Sequence, residues 1–334
     1  MSVSVKNVGE AGRGLVALKD IKNGELIVRD TAVIAIPANV DVWEAGEEIM
    51  RQIKKINLTE KEDFYNLTRK DGIHQLCNDL MEEASGDTKR LSKAQKIAKF
   101  CDEISIFFNN DIATDDSFRC LFLYLSVLNH SCDPNSFYTG TVNNPRQLEL
   151  RAAKDIREGE EVTVNYILVE GRFSDRPTRQ TRLRDGWGFY CSCSLCKGEN
   201  LNIHQQKQEI LKQEIVIVQS DMTNECDQNP ATVSWSRLCT LQSELVELVM
   251  QLSSGQLLLG RELKSLAHLA QLARREDILE NALNSWDLTI QDLGVERWRR
   301  EYNALIEKVK KWKQKRKKRE NPNEDEIRQF LWLM

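Results

Sequence analysis

A long apolar run is the first thing this sequence lacks: the longest, LFLYLSVL at 121–128, is far too short to span a bilayer. The opening segment MSVSVKNVGE has no positively charged stretch followed by an apolar one. No secretory signal is read there, and the expectation is a soluble intracellular protein, cytoplasmic or nuclear, with no membrane partner. Nor does one sign of charge dominate. Lys plus Arg (47) nearly balance Asp plus Glu (51), leaving no global positive field to gather phosphates, which argues against a general nucleic-acid binder. Nine cysteines is an odd count, and without a secretory signal they read as thiols or metal ligands, not as a disulfide framework. A length of 334 residues suits one or two domains with a sizeable core.

What is present divides into β-rich and helical stretches. Within 1–40, apolar clusters such as Leu15, Val16 and Leu26, Ile27 alternate with Gly9, Gly12, Gly14 and Gly24, the pattern of short strands and tight turns. From 41 to 108 the spacing becomes helical, as in Ile49, Ile53, Ile56 and then Ile97, Phe100, Ile104, Phe107, and predicts a helical insertion. Strand patterning returns within 109–190, in QLELRAAKDI and EEVTVNYILV. A cysteine cluster occupies 191–200, and 201–334 reads as an all-helical region, with Trp235, Leu238, Leu241, Leu245 and Val249 on one face. A second face carries Val295, Trp298, Tyr302, Leu305, Val309 and Trp312. Residues 263–290 are spaced as a tetratricopeptide-like helical hairpin, although one unit does not make a repeat array. The basic run KKWKQKRKKRE at 310–320 reads as the solvated end of a helix, with a nuclear-import signal or an anionic-partner patch as the alternative.

Four cysteines stand apart. Cys191, Cys193 and Cys196 fall within six residues in CSCSLC, a spacing that wraps three thiolates around one zinc ion, and Cys132 in NHSCDPN is the candidate fourth ligand. Cys77, Cys101, Cys120, Cys226 and Cys239 are isolated and read as core thiols. A metal at Cys132 would fix the backbone beside Asn129 and His130 and give a pocket a rigid floor. Gly12-Arg13-Gly14 lies in a turn where backbone can approach a ligand closely, and Tyr166, ending the strand VTVNYI, is placed either to pack or to aim a phenol into a cavity.

In this order, AGRGLVALKDIKNGELI (11–27), LSVLNHSCDPN (125–135), RAAKDIREGEEVTVNYI (151–167) and TRLRDGWGFYCSCSLC (181–196) resemble the SET-domain methyltransferases, more closely the SMYD-like branch and fungal SET-domain proteins without a MYND finger. The resemblance covers roughly the first 200 residues and implies an α+β fold: small curved sheets with a knot-like crossing near the NHSC segment, a helical insertion, a post-SET zinc site and an all-α C-terminal region. By that resemblance S-adenosylmethionine is the cofactor, contacted by Gly12, Arg13, Gly14, Asn129 and His130 and covered by Phe189. The substrate channel is lined by Phe122, Tyr166 and Trp187, with Tyr166 the catalytic residue. Cys132, Cys191, Cys193 and Cys196 hold a structural zinc. The implied activity is methyl transfer to a neutral lysine amine of a histone or non-histone protein.

Three departures bear on that expectation. The insertion holds only Cys77, Cys101 and His74, too few for the two zinc sites of a MYND finger. Trp187 stands where animal relatives carry tyrosine, keeping an aromatic face for a methylammonium without the hydroxyl. SFRCLFLYLSVL, before the NHSC segment, is bulkier than in the family. Two further readings therefore stand beside the lysine methyltransferase: a SET-like scaffold turned to a small molecule, and a catalytically silent module that binds a protein partner through its helical C-terminal region.

Overall fold

The computed structural model describes residues 2–40, 42–69, 82, 86–114, 118–141, 144, 146–167, 174–197, 210–211, 213–214, 216–218, 220–222, 224, 234–251 and 256–316. Among the described residues ten short strands, β1 (Val3–Asn7), β2 (Arg13–Ala17), β3 (Leu26–Thr31), β4 (Ile34–Pro37), β5 (Asp111–Thr114), β6 (Phe118–Leu121), β7 (Asn129–His130), β8 (Ser136–Gly140), β9 (Gln147–Ala152) and β10 (Glu161–Val164), build three sheets. Their orders are β1-β2-β10-β7, β3-β9-β8 and β4-β6-β5. Each sheet joins strands from before and after residues 41–110, so the helical stretch is looped out of one β core. Leu15, Val16 and Ala17 of β2 are all buried, as a strand covered on both faces requires.

All the described strand pairs are antiparallel except one. β7 and β10 run parallel, Asn129 beside Thr163 and His130 beside Val164. A hairpin cannot make a parallel pair, so the chain between them leaves through β8 and β9 and returns. That return is what sets the NHSC segment against the VNY segment.

The looped-out stretch contains α1 (Val42–Ile53), α2 (Leu58–Tyr65), α3 (Thr88–Ala98) and α4 (Cys101–Asn110). Ile49, Ile53, Ile97, Ile104 and Phe107, the positions with helical spacing, pack together against Ile34 and Ile36 of β4. α2 starts at a capping box, in which the Asn57 side chain accepts from the Glu60 backbone and the Glu60 side chain accepts from that of Asn57. At its other end the Asn66 carbonyl accepts a hydrogen bond from the Arg13 guanidinium.

After the β core come α5 (Arg176–Trp187) and then α6 (Trp235–Gln251), α7 (Gln256–Leu272), α8 (Glu276–Leu293) and α9 (Glu296–Arg316). α7 and α8 form the hairpin expected at 263–290, and their shared core centres on Trp286, which is wholly buried. Gly260 lets α7 and α9 approach closely, since a Cβ there would fall 2.6 Å from the Trp298 ring. The helices rest on the β core where Leu293 and Val295 meet Phe137 and Ala153. At that seam Gly24 (φ +78°) leaves no room for a side chain: its Cβ would lie 2.1 Å from the Asp292 carbonyl oxygen.

Cys120 and Cys239 are buried free thiols, as expected. Cys101 is not: it is held in a disulfide, which corrects its reading as a core thiol. His74, Cys77, Cys226, the Trp312 side chain and the end of the basic run lie outside the described residues. Among the described residues no helix is long and apolar enough to cross a membrane.

Candidate functional site

The cysteine centre is assembled by α5. Asp175 caps its N-terminus by accepting from the Thr178 backbone, and Gly188, left-handed at φ +77°, ends it by donating to the Arg184 carbonyl. The chain that follows is pinned back to the helix at two points, as Gln180 accepts from the Cys191 backbone N–H at 2.8 Å and donates to its carbonyl at 2.7 Å. Further on, the Cys193 carbonyl accepts from the N–H groups of Cys196 and Lys197, both at 2.8 Å. This turn aims three sulfurs at Cys132. The four Sγ atoms lie within 4.8 Å of one another, with Cys132 3.9 Å from Cys191 and 3.6 Å from Cys196.

Four thiolates around a zinc at the usual Zn–S length stand about 3.8 Å apart, so the set fits that ion. The Cys132 thiol is pushed far up by hydrogen bonding to Cys191, Cys193 and Cys196, and the Cys193 thiol is pushed far down, first by Cys132. A divalent ion is what allows all four to be thiolates at once. Arg179, wholly buried, donates to Cys196 Sγ at 3.8 Å and to the Ser174 carbonyl at 2.7 Å, bringing positive charge to the cluster.

His130 links this centre to Tyr166. Its Nδ1 accepts from the Tyr166 backbone N–H at 3.0 Å, so the proton of the neutral ring sits on Nε2, 3.3 Å from Cys132 Sγ. Both ring nitrogens are thus engaged, and what His130 can offer a cofactor is its ring face and backbone. The Tyr166 hydroxyl donates to the Leu128 carbonyl. Around the phenol ring stand Trp187 at 5.3 Å, His130 at 5.4 Å and Phe189 at 6.3 Å between centroids. Burial, with smaller contributions from Tyr138 and Glu161, pushes the Tyr166 phenol well above its ordinary value and keeps it neutral.

The glycine turn meets the same region from β2. Asn129 Nδ2 donates to the Arg13 carbonyl at 3.0 Å and to Glu161 Oε1 at 2.7 Å, and Gly14 lies directly beneath the pair. Gly12 and Arg13 are exposed, and Gly12 has φ +75°. Trp187, 39% exposed, forms the outer wall of the aromatic group. The structure therefore brings together Gly12, Arg13, Gly14 and Asn129 on one side, and His130, Tyr166, Trp187 and Phe189 on the other. Phe122 has a different place. It has no exposed surface and packs with Leu15, Cys120 and Leu125 in the cluster against which Tyr166 also rests. Gln180, Arg179 and Glu161 were not singled out from the sequence, because their partners lie on other segments.

The β core sets an NHSC strand beside a VNY strand and closes the pair with a cysteine turn, so both ends of the β region build one site. The SET-domain family model matches residues 12–167 of the chain. The chain is 42% identical over 89 residues to "Histone-lysine N-methyltransferase SET5" of Meyerozyma guilliermondii, covering 26% of this chain and 18% of that protein. Over 126 residues it is 31% identical to "Histone-lysine N-methyltransferase set5" of Schizosaccharomyces pombe, covering 37% of each. "Putative SET domain-containing protein L678" of Acanthamoeba polyphaga mimivirus is 23% identical over 224 residues, with 61% of this chain and 80% of that protein covered. The chain thus spans less than a fifth of the yeast relative it matches at 42%. Among solved structures, the SET domain of LSMT bound to MeLysine and AdoHcy superposes with a TM-score of 0.36 at 14% identity, over 64% of this chain and 60% of that one.

Proposed function

We propose that this protein is an S-adenosylmethionine-dependent protein-lysine N-methyltransferase. The observation that carries the reading is the Tyr166 phenol, neutral and ringed by Trp187, His130 and Phe189, whose hydroxyl donates to the carbonyl of Leu128, the residue before the Asn129 that is bonded to Arg13. The bound cofactor supplies an electrophilic sulfonium methyl group. Gly12, Arg13, Gly14 and Asn129 would hold its amino-acid and ribose side, with His130 next to them, and Phe189 would cover the adenine. Tyr166 and Trp187 form the lysine channel. With its hydrogen committed to the Leu128 carbonyl, the phenol oxygen presents lone pairs to the incoming amine and orients it. The aromatic walls exclude water, which disfavours the charged ammonium and leaves the amine neutral for attack. Four thiolates would fill the coordination sphere of zinc, so Cys132, Cys191, Cys193 and Cys196 would hold a structural ion, which the His130 link would couple to the backbone of Tyr166.

Histone lysines are the favoured acceptors, because fungal relatives with up to 42% identity over the matched segment carry that name, and a nuclear site of action goes with them. The test is incubation of the purified protein with labelled S-adenosylmethionine and core histones, followed by a lysate of small molecules and proteins. Label on a lysine side chain supports the reading. Label confined to a small molecule replaces it with the repurposed-scaffold reading, and cofactor binding with no transfer at all favours the silent module.

A further inference from the structure

Glu161 opens β10 and turns its carboxylate toward Asn129, 32 residues away in the chain. Glu161 Oε1 and the Arg13 carbonyl oxygen both accept from Asn129 Nδ2, at 2.7 and 3.0 Å. A carboxylate and a carbonyl are acceptors only, so both amide hydrogens are committed and the amide has a single sensible orientation. Its Oδ1 is then the atom left to meet a ligand, and what it can meet is a donor. Gly14 makes this packing attainable: a Cβ there would lie 2.6 Å from Glu161 Oε1 and 2.9 Å from Asn129 Nδ2. Three segments, β2, β7 and β10, converge on one amide, and the carboxylate adds negative charge where a cationic group would be welcome.

We infer that Glu161 is a positioning residue: it holds Asn129 with Oδ1 presented to the α-ammonium of the cofactor, and so sets affinity for the amino-acid arm and not for the adenosine. The inference rests on the reading of the Gly12–Gly14 turn and Asn129 as the cofactor site. Two ligands separate the two. S-Adenosylhomocysteine carries the amino-acid arm; 5′-methylthioadenosine keeps the adenosine and the thioether but lacks it.

Calorimetry of the wild type should find both ligands bound. Glu161→Ala should weaken S-adenosylhomocysteine binding by about 5- to 30-fold, the effect of a lost charge-assisted hydrogen bond, and leave methylthioadenosine within about twofold. Glu161→Gln, which keeps the shape and an acceptor oxygen, should recover most of the loss. Adding Glu161→Ala to Asn129→Ala should change little more, because the pair acts as a unit. Melting temperature and metal content, unchanged in Glu161→Gln, control for folding. Equal loss of both ligands, or fully additive effects of the two alanines, would overturn the positioning role. A folded wild type that binds neither ligand would instead sink the cofactor-site reading on which it rests.

Discussion

Removing one oxygen atom from Tyr166 separates orientation from proton transfer. In Tyr166→Phe the ring still packs against Trp187, His130 and Phe189, while the Leu128 carbonyl loses its phenol partner. An acceptor left unpaired in a largely buried place costs about 1–3 kcal/mol, which lowers the melting temperature by a few degrees and leaves the protein folded. Turnover should fall by about 10- to 1000-fold, as it does when reacting groups lose their alignment. The pH dependence carries the decisive information. Burial raises the phenol above its ordinary value, so Tyr166 remains protonated through neutral and mildly alkaline pH and does not act as the base. The rising limb of rate against pH then belongs to the substrate amine, whose ordinary pKa is about 10.4. Initial rates with a lysine peptide from pH 6.5 to pH 9.5 (about the usable range) should show a lower profile for Tyr166→Phe with its limb in the same place. A limb that vanishes or moves in the variant, with the plateau kept, would make the phenol the base and refute the reasoning.

Metal analysis of the native protein should find about one zinc per chain. Cys196→Ser should release it and, through His130, loosen the Tyr166 segment, read as enhanced amide exchange near 164–167. Arg179→Met removes positive charge next to Cys196 and should speed zinc loss to a chelator severalfold, with a metal-free fold excluded by circular dichroism; unchanged release would show the guanidinium to be a packing element alone. Gly24→Ala combines a left-handed backbone with a clash against the Asp292 carbonyl and should destabilise the protein by about 2–4 kcal/mol, measured by urea unfolding. Glu149 is a pH probe of the fold. Burial alone would raise it, but Arg29 and Arg151 outweigh burial and hold it below the ordinary carboxylate value. Its contribution is therefore present above the unfolded-state value and is lost as pH falls through the folded one, so Glu149→Gln should flatten the acid limb of the stability curve.

Sequence alone was informative wherever the signal is local. C-x-C-x-x-C is a spacing that only a tight turn around a soft cation explains well, and it can be read from six residues. The helical periodicity of Ile97, Ile104 and Phe107 and the hairpin at 263–290 are local in the same sense, since 3.6-residue repetition is written along the chain. The order of the GRG, NHSC, VNY and cysteine segments carried the resemblance to the SET-domain family and the α+β class. Tertiary structure decided what depends on segments far apart. Cys132 reaches Cys191 across 59 positions, and its place as fourth ligand becomes geometric only when α5 and β7 pack. The proton on His130 Nε2 is set by a backbone N–H 36 residues away, and the amide of Asn129 by Glu161 and Arg13. LFLYLSVL is apolar but for Ser126, so no alternation marks which side chains face inward; the fold turned Phe122 into the core and left Tyr124 exposed. Gly24 looked like an ordinary turn glycine until α8 came to rest upon it. A glycine, a thiol or an amide carries no mark of its partner in the sequence, because close approach is a property of two surfaces and the chain order records them one at a time.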